Sequence, residues 1–269
     1  MRSKKVTRKS KSVYQTKALS KDRNSYGANY NSQLFYRDTA KQLTEFQPVS
    51  SKIQTTKFIK PLNQRQRDYV RLIKDKTVVI ASGDSGTSKS FLSLHTAIQL
   101  YNDESSPIEK IFYIRANVGL GEERDLGYLK GSLQEKIIPL AYPVMDSLIG
   151  FMSEGQAKYL IETSKIEVLP VAMVRGRTFN NSIVIVDEAQ SCSPSSILTL
   201  LTRIGQDSKM ILIGNTSSYQ KDSQSYIKDG LEDAINRLAG LPDVGYVRFQ
   251  REDIVRNSVI KDILARYED

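Results

Sequence analysis

The chain has 269 residues, 39% of them hydrophobic, and a formal net charge of +9, which suits one large domain or two small ones and excludes a wholly disordered chain. A single cysteine, Cys192, excludes an internal disulfide and a cysteine metal cage, and a lone histidine, His95, excludes a multi-histidine metal site. No apolar run approaches the roughly 20 residues that span a bilayer, and no apolar signal stretch follows the basic N-terminus, so a soluble, cytoplasmic protein without a membrane partner is expected.

In chain order, residues 1–56 are rich in Ser, Lys, Asn, Gln and Tyr and carry no sustained helical or strand period, which reads as a mostly disordered or extended tail. Residues 1–24 hold nine Lys/Arg against Asp22 alone, a net +8, so nearly all the excess charge belongs to this tail. Interleaved with Tyr14 and followed by Tyr26, Tyr30 and Tyr36, these cations suit an arm that neutralises phosphates and stacks on bases; a merely solubilising terminus is the plainer alternative. Compact structure is expected from about Lys57, as one domain over 57–269. Short β-branched runs then recur: TVVIAS (77–82), KIFYIRA (110–116), KIEVLPV (165–171), SIVIVDE (182–188), KMILIGN (209–215) and GYVRFQ (245–250). Runs apolar at every position, such as Ile183 to Val186, mark strands covered on both faces, hence an α/β sandwich around a mostly parallel sheet.

Between the first run and an apolar helical stripe, FLSLHTAIQLY (91–101), lies GDSGTSKS (83–90). It matches the phosphate-binding pattern G-x-x-x-x-G-K-[ST] except that Ser88 replaces the second glycine. Strand, loop and helix in that order let the backbone amides of Gly83, Asp84, Ser85, Gly86, Thr87, Ser88, Lys89 and Ser90 converge on phosphate oxygens. Lys89 can bridge the β- and γ-phosphates and the Ser90 hydroxyl can hold Mg²⁺. SIVIVDEAQ ends a buried strand on two adjacent carboxylates, a costly pair without a cation nearby. A phosphate-bound Mg²⁺ is the simplest partner, with Asp187 supporting the metal and Glu188 orienting and deprotonating an attacking water. An exposed acidic pair capping the next helix is the plainer alternative.

Together these motifs resemble the PhoH-like family of P-loop ATPases, whose core is similar to the first RecA-like domain of superfamily 1 helicases. The resemblance spans about residues 57–267 and rests on several motifs in order: Gln66-x-x-Tyr69, the phosphate loop, Arg115 in YIRANVGLGEE, LGYLKGSLQEKI (126–137), VRGRTFNNSIVIVDEAQ (174–190), LLTRIGQDSKMILIGN (200–215) and REDIVRN (251–257). It implies a P-loop NTPase fold, a RecA-like three-layer α/β/α sandwich, with ATP and Mg²⁺ as cofactors. It also implies that Gln66 reads the adenine edge, with Gln64 near enough to compete. Gln220 would sense the γ-phosphate or the attacking water, and Arg256 or Arg203 would stabilise the transferring phosphoryl group in cis or from a neighbour; each arginine has a surface ion pair as its plainer reading. Three departures surround the phosphates: Ser88, Asn215 in place of the family's usual aspartate, and a longer segment before Gln220.

Two functions follow. One is a Mg-dependent ATPase acting on RNA or single-stranded DNA, helicase-like or remodelling. Since a related monomeric helicase needs two RecA-like domains and there is room here for one, such a motor would be a homo-oligomer, in a ring if neighbours complete the site. The alternative is a nucleotide-dependent oligomeric binding module with little or no hydrolysis. His95 reads as a packed helix residue and Cys192 as a small buried or partly exposed thiol.

Overall fold

The computed structural model describes residues 52–116, 133–215 and 229–268. The basic tail, Gln220 and much of LGYLKGSLQEKI lie outside the described residues. All six expected strands are present: β1 (Val78–Ser82), β2 (Lys110–Arg115), β3 (Ile166–Pro170), β4 (Ser182–Asp187), β5 (Lys209–Gly214) and β6 (Val244–Arg248). They form one sheet in the order β3-β2-β4-β5-β1-β6, and every pairing is parallel.

The all-apolar strands are explained by what covers them. Alternate residues, Val79, Ala81, Ile111, Tyr113, Ile183, Ile185, Ile211 and Ile213, join one buried cluster. That cluster also holds side chains of α1 (Gln64–Asp75), α2 (Lys89–Asn102), α3 (Leu133–Ile149) and α4 (Glu154–Glu162). Their neighbours Ile80, Phe112, Val184, Val186, Met210 and Leu212 point the other way, against α5 (Pro194–Leu201) and α6 (Gly230–Leu238). Two apolar faces sandwiched by helices make the three-layer architecture, because each face must be hidden from water. A last helix, α7 (Val259–Glu268), follows the segment after β6.

Compact structure starts a little before Lys57. Ile53 is buried, its N–H donates to Asn102 Oδ1 (2.7 Å) and its carbonyl accepts from Asn102 Nδ2 (2.7 Å), while the Thr56 N–H donates to the Phe151 carbonyl (2.9 Å). Parallel pairing puts the C-terminal ends of all strands on one edge. β1 and β4, separated by β5, deliver the phosphate loop and the Asp-Glu pair to that same edge, beside the point where the strand order reverses, which is where ligands of such sheets sit.

Candidate nucleotide site

The loop begins where β1 runs out. Gly83 has φ 126°, a conformation that L side chains rarely adopt, and a Cβ there would overlap the carbonyl oxygen of Phe249. The segment after β6 grips the loop at two points: the Phe249 N–H donates to the Ser82 carbonyl (2.8 Å) and the Val255 N–H to the Gly86 carbonyl (3.1 Å). Ser88, the departure from the motif, is left-handed at φ 69° and ψ 23°, opens α2, and its hydroxyl makes no capping bond. The position therefore demands the backbone that glycine adopts freely, and serine holds it at a cost of about 1–2 kcal/mol. Glycine would lose about 0.5–1 kcal/mol more chain entropy on folding. Ser88→Gly is accordingly expected to raise the melting midpoint by at most roughly 5 °C and to leave nucleotide affinity within about threefold. A lower midpoint would show that contacts of the serine side chain outweigh its backbone strain.

Lys89 is buried, and its ammonium donates to the carbonyls of Gly83 and Asp84 (2.7 Å each) and to Thr87 Oγ1 (3.1 Å). Burial lowers its pKa to about 8, against the pull of Asp187, Asp84 and Glu188, while Arg256 opposes its charge further. Five charges are thus gathered around the loop. Ser90 Oγ, in the first turn of α2, donates to Asp187 Oδ1 (3.0 Å), and the Tyr113 hydroxyl donates to Asp187 Oδ2. Burial, then the Asp187 charge, push the Tyr113 hydroxyl well above its ordinary pKa, so it remains a donor. Glu188 is half-buried and left-handed at φ 57°, which turns it out of the line of β4. Non-glycine residues in that region cost energy and cluster at working sites. Gln190 Nε2 donates to Glu188 Oε2 (2.7 Å), and Gln190 Oε1 accepts from the Asn215 N–H at the end of β5 (3.1 Å).

On the far side of the loop, Gln66 and Gln64 separate cleanly. Gln66 is buried: its Oε1 accepts from the Leu62 N–H (2.7 Å) and its Nε2 donates to the Thr87 carbonyl (3.4 Å), so it touches the phosphate loop. Gln64 is exposed and exchanges hydrogen bonds with Asp68 and Arg67 on its own helix. Arg65 pairs with Asp253 (2.5 Å), and Asp253 also accepts from the Gln250 N–H (2.8 Å), tying α1 to the segment that carries Arg256. Arg256 is exposed and lies against the loop, its Cδ 3.1 Å from where a Cβ on Gly86 would stand. Arg203 is elsewhere. It follows α5 and its carbonyl accepts from the Phe179 N–H, before β4 begins, so it occupies the opposite edge of the sheet and cannot serve its own loop. His95 packs edge-on against Phe151 and is pushed down in pKa by burial, and Cys192 is buried among α5 and α6.

The sequence matches the PhoH-like protein family over residues 58–268. The chain belongs to that family. A PhoH-like protein of Synechocystis sp. is 36% identical over 221 residues, 82% of this chain and 65% of the relative. One of Bacillus subtilis is 34% identical over 212 residues, 79% of this chain and 65% of the relative. Protein PhoH of Escherichia coli is 33% identical over 207 residues, 76% of this chain and 57% of the relative. The chain therefore spans less than two thirds of the length of these curated relatives. Among solved structures, the large terminase of a thermophilic bacteriophage superposes with a TM-score of 0.45 at 12% identity, covering 78% of this chain and 50% of the terminase. The Pif1 helicase of Candida albicans gives 0.39 at 14%, covering 77% and 44%.

Within this PhoH-like site, the donor chemistry suits a hard cation. The Ser90 hydroxyl and the Asp187 carboxylate present oxygen only, and among the described residues no group of three His, Cys, Asp or Glu side chains forms a separate metal cage. Few protein oxygens beside a phosphate cradle is how Mg²⁺ is usually held, since the ion keeps waters and takes further ligands from phosphates. Tyr113, Gln190 and the Arg65–Asp253 pair were not legible as site residues. Tyr113 sits inside an apolar strand run and reads as core, Gln190 is linked to Asn215 across 25 residues as well as to its near neighbour Glu188, and Arg65 and Asp253 are 188 residues apart. The glutamine of DEAQ was the one visible signal.

Proposed function

We propose that this PhoH-like chain binds ATP with Mg²⁺ at the loop of residues 83–90 and hydrolyses it. The observation that carries this reading is the convergence of Lys89, Ser90, Asp187 and Glu188 at one edge of the sheet, on a loop held open by Gly83 and by the backbone of Phe249 and Val255. Mg²⁺, once bound, supplies charge neutralisation on the phosphate oxygens. The chain's own residues do the remainder. Lys89 exchanges its loop carbonyls for phosphate oxygens, Ser90 and Asp187 hold the metal side, and Glu188 takes the proton of the attacking water, kept in orientation by Gln190. Gln66 supports the adenine side, while Arg256 supplies positive charge over the loop in cis; Gln220 is assigned the γ-phosphate contact by its place in the motif order.

The partner we assign is RNA or single-stranded DNA, with the basic tail as tether and a homo-oligomer, in ring form, as the working assembly. Arg203, barred from its own site, is available only to a neighbour. A second reading, an ATP-dependent binding module with little hydrolysis, is favoured by the way Lys89 satisfies itself on loop carbonyls and by the strained Ser88.

Steady-state phosphate release with and without RNA and single-stranded DNA separates these readings. The ATPase reading expects turnover that rises with nucleic acid and is lost in Lys89→Ala, and turnover indifferent to Lys89→Ala would sink it. ATP binding without turnover selects the binding module. For the tether, deletion of residues 1–24 is expected to weaken salt-sensitive binding to nucleic acid, which for six to ten phosphate contacts falls about 10³- to 10⁵-fold between 50 and 200 mM salt. Equal affinity without the tail removes it from the binding surface.

A further inference from the structure

We propose that Tyr113 is a positioning residue for the metal half of this site, fixing which oxygen of Asp187 is presented to a Mg²⁺·nucleotide. The inference rests on the nucleotide reading above. Tyr113 and Asp187 occupy the same face of adjacent strands: Tyr113 on β2 lies opposite Ile185 on β4, and Asp187 is two residues further along. At that diagonal spacing only a long or aromatic side chain reaches its neighbour. The Tyr113 ring is wholly buried in the apolar cluster beneath α2, so its direction is set by packing and its hydroxyl arrives at Oδ2.

The two carboxylate oxygens are therefore not equivalent. Oδ2 is spoken for by a donor anchored in the sheet, and Oδ1 by Ser90 Oγ, at the mouth of the phosphate loop. Ser90 can turn a lone pair to the metal while still donating its one hydrogen to Oδ1, so Oδ1 is the oxygen on the metal side; Tyr113 holds the other. A carboxylate bonded only by Ser90 would be free to turn about that single hydrogen bond. With Tyr113 in place, Oδ1 stays aimed at Ser90 and the metal side of the loop. Second hydrogen bonds of this kind orient carboxylates that support metals.

The test reads metal dependence rather than turnover. ATP affinity is measured by calorimetry in EDTA and over a Mg²⁺ series for the wild-type chain, Tyr113→Phe, Asp187→Asn and the double variant. Tyr113→Phe keeps the ring, so its EDTA affinity is expected within about twofold of wild type, whereas the Mg²⁺ concentration that half-saturates the gain in affinity rises about 10- to 100-fold. In the double variant, Tyr113→Phe adds nothing to the defect of Asp187→Asn. An unchanged Mg²⁺ midpoint, an equal loss of affinity in EDTA, or additive effects in the double variant would overturn the assignment. A wild-type chain that binds no ATP would overturn the nucleotide reading and this inference with it, an outcome distinct from a Tyr113→Phe variant indistinguishable from a Mg²⁺-responsive wild type.

Discussion

Glu188→Gln is expected to leave ATP affinity near the wild-type value and to lower turnover by about 10²- to 10⁴-fold, the range a positioned general base contributes. The substitution is close to isosteric, and a glutamine carbonyl can still accept from Gln190 Nε2, which bonds Glu188 Oε2 at 2.7 Å. The loop, Lys89 and Ser90 keep their own partners, so phosphate binding is untouched. What is lost is the capacity to take a proton from water. Turnover and ATP dissociation constant measured on one preparation decide the matter. Unchanged turnover would remove Glu188 from the chemistry, and an equal loss of binding would make it a structural residue of the loop.

Gly83→Ala is expected to be the most damaging single methyl in the loop. A Cβ there overlaps the Phe249 carbonyl, backbone that cannot swing aside as a flexible side chain would, and at φ 126° alanine is strained in any case. Backbone strain of about 1–3 kcal/mol and overpacking of about 1–3 kcal/mol together predict a melting midpoint lower by roughly 5–20 °C. Nucleotide affinity should fall with it, because relief can come only by moving the loop or parting the Phe249–Ser82 hydrogen bond. Thermal unfolding beside ATP binding checks this, and a variant as stable and as tightly binding as wild type would show that Phe249 does not press on the loop.

Much of this was legible in the chain. The central strands announced themselves because burial on both faces leaves no polar position, as in Ile183 to Val186, and the phosphate loop and DEAQ were readable because their chemistry needs particular residues in a short span. Ser88 was readable as a departure, but its backbone was not: only the structure shows that position 88 is left-handed. Gln66 and Gln64 were indistinguishable by spacing and differ by burial, which depends on how α1 lies against the loop. Arg203 looked like a site residue because its motif is distinctive, yet α5 carries the chain from the loop edge of the sheet to the other before reaching it. Tyr113 was hidden for the opposite reason. Its neighbours are apolar, and nothing local marks a hydroxyl that meets a carboxylate 74 residues away.

The backbone clasp of Phe249 and Val255 on the loop also orders events in time. Residues 83–90 leave the ribosome with β1 and α2, but the partners that hold Ser82 and Gly86 in place come 167 (249 − 82) and 169 (255 − 86) residues later. At about 5–20 residues per second that is a delay of roughly 10–30 s. A nascent chain can carry the whole phosphate motif and already have built β1 through β5, yet lack the clasp that fixes its geometry. The loop geometry that the proposed nucleotide site depends on is thus completed late in the synthesis of this domain, after β1 through β5 have been made.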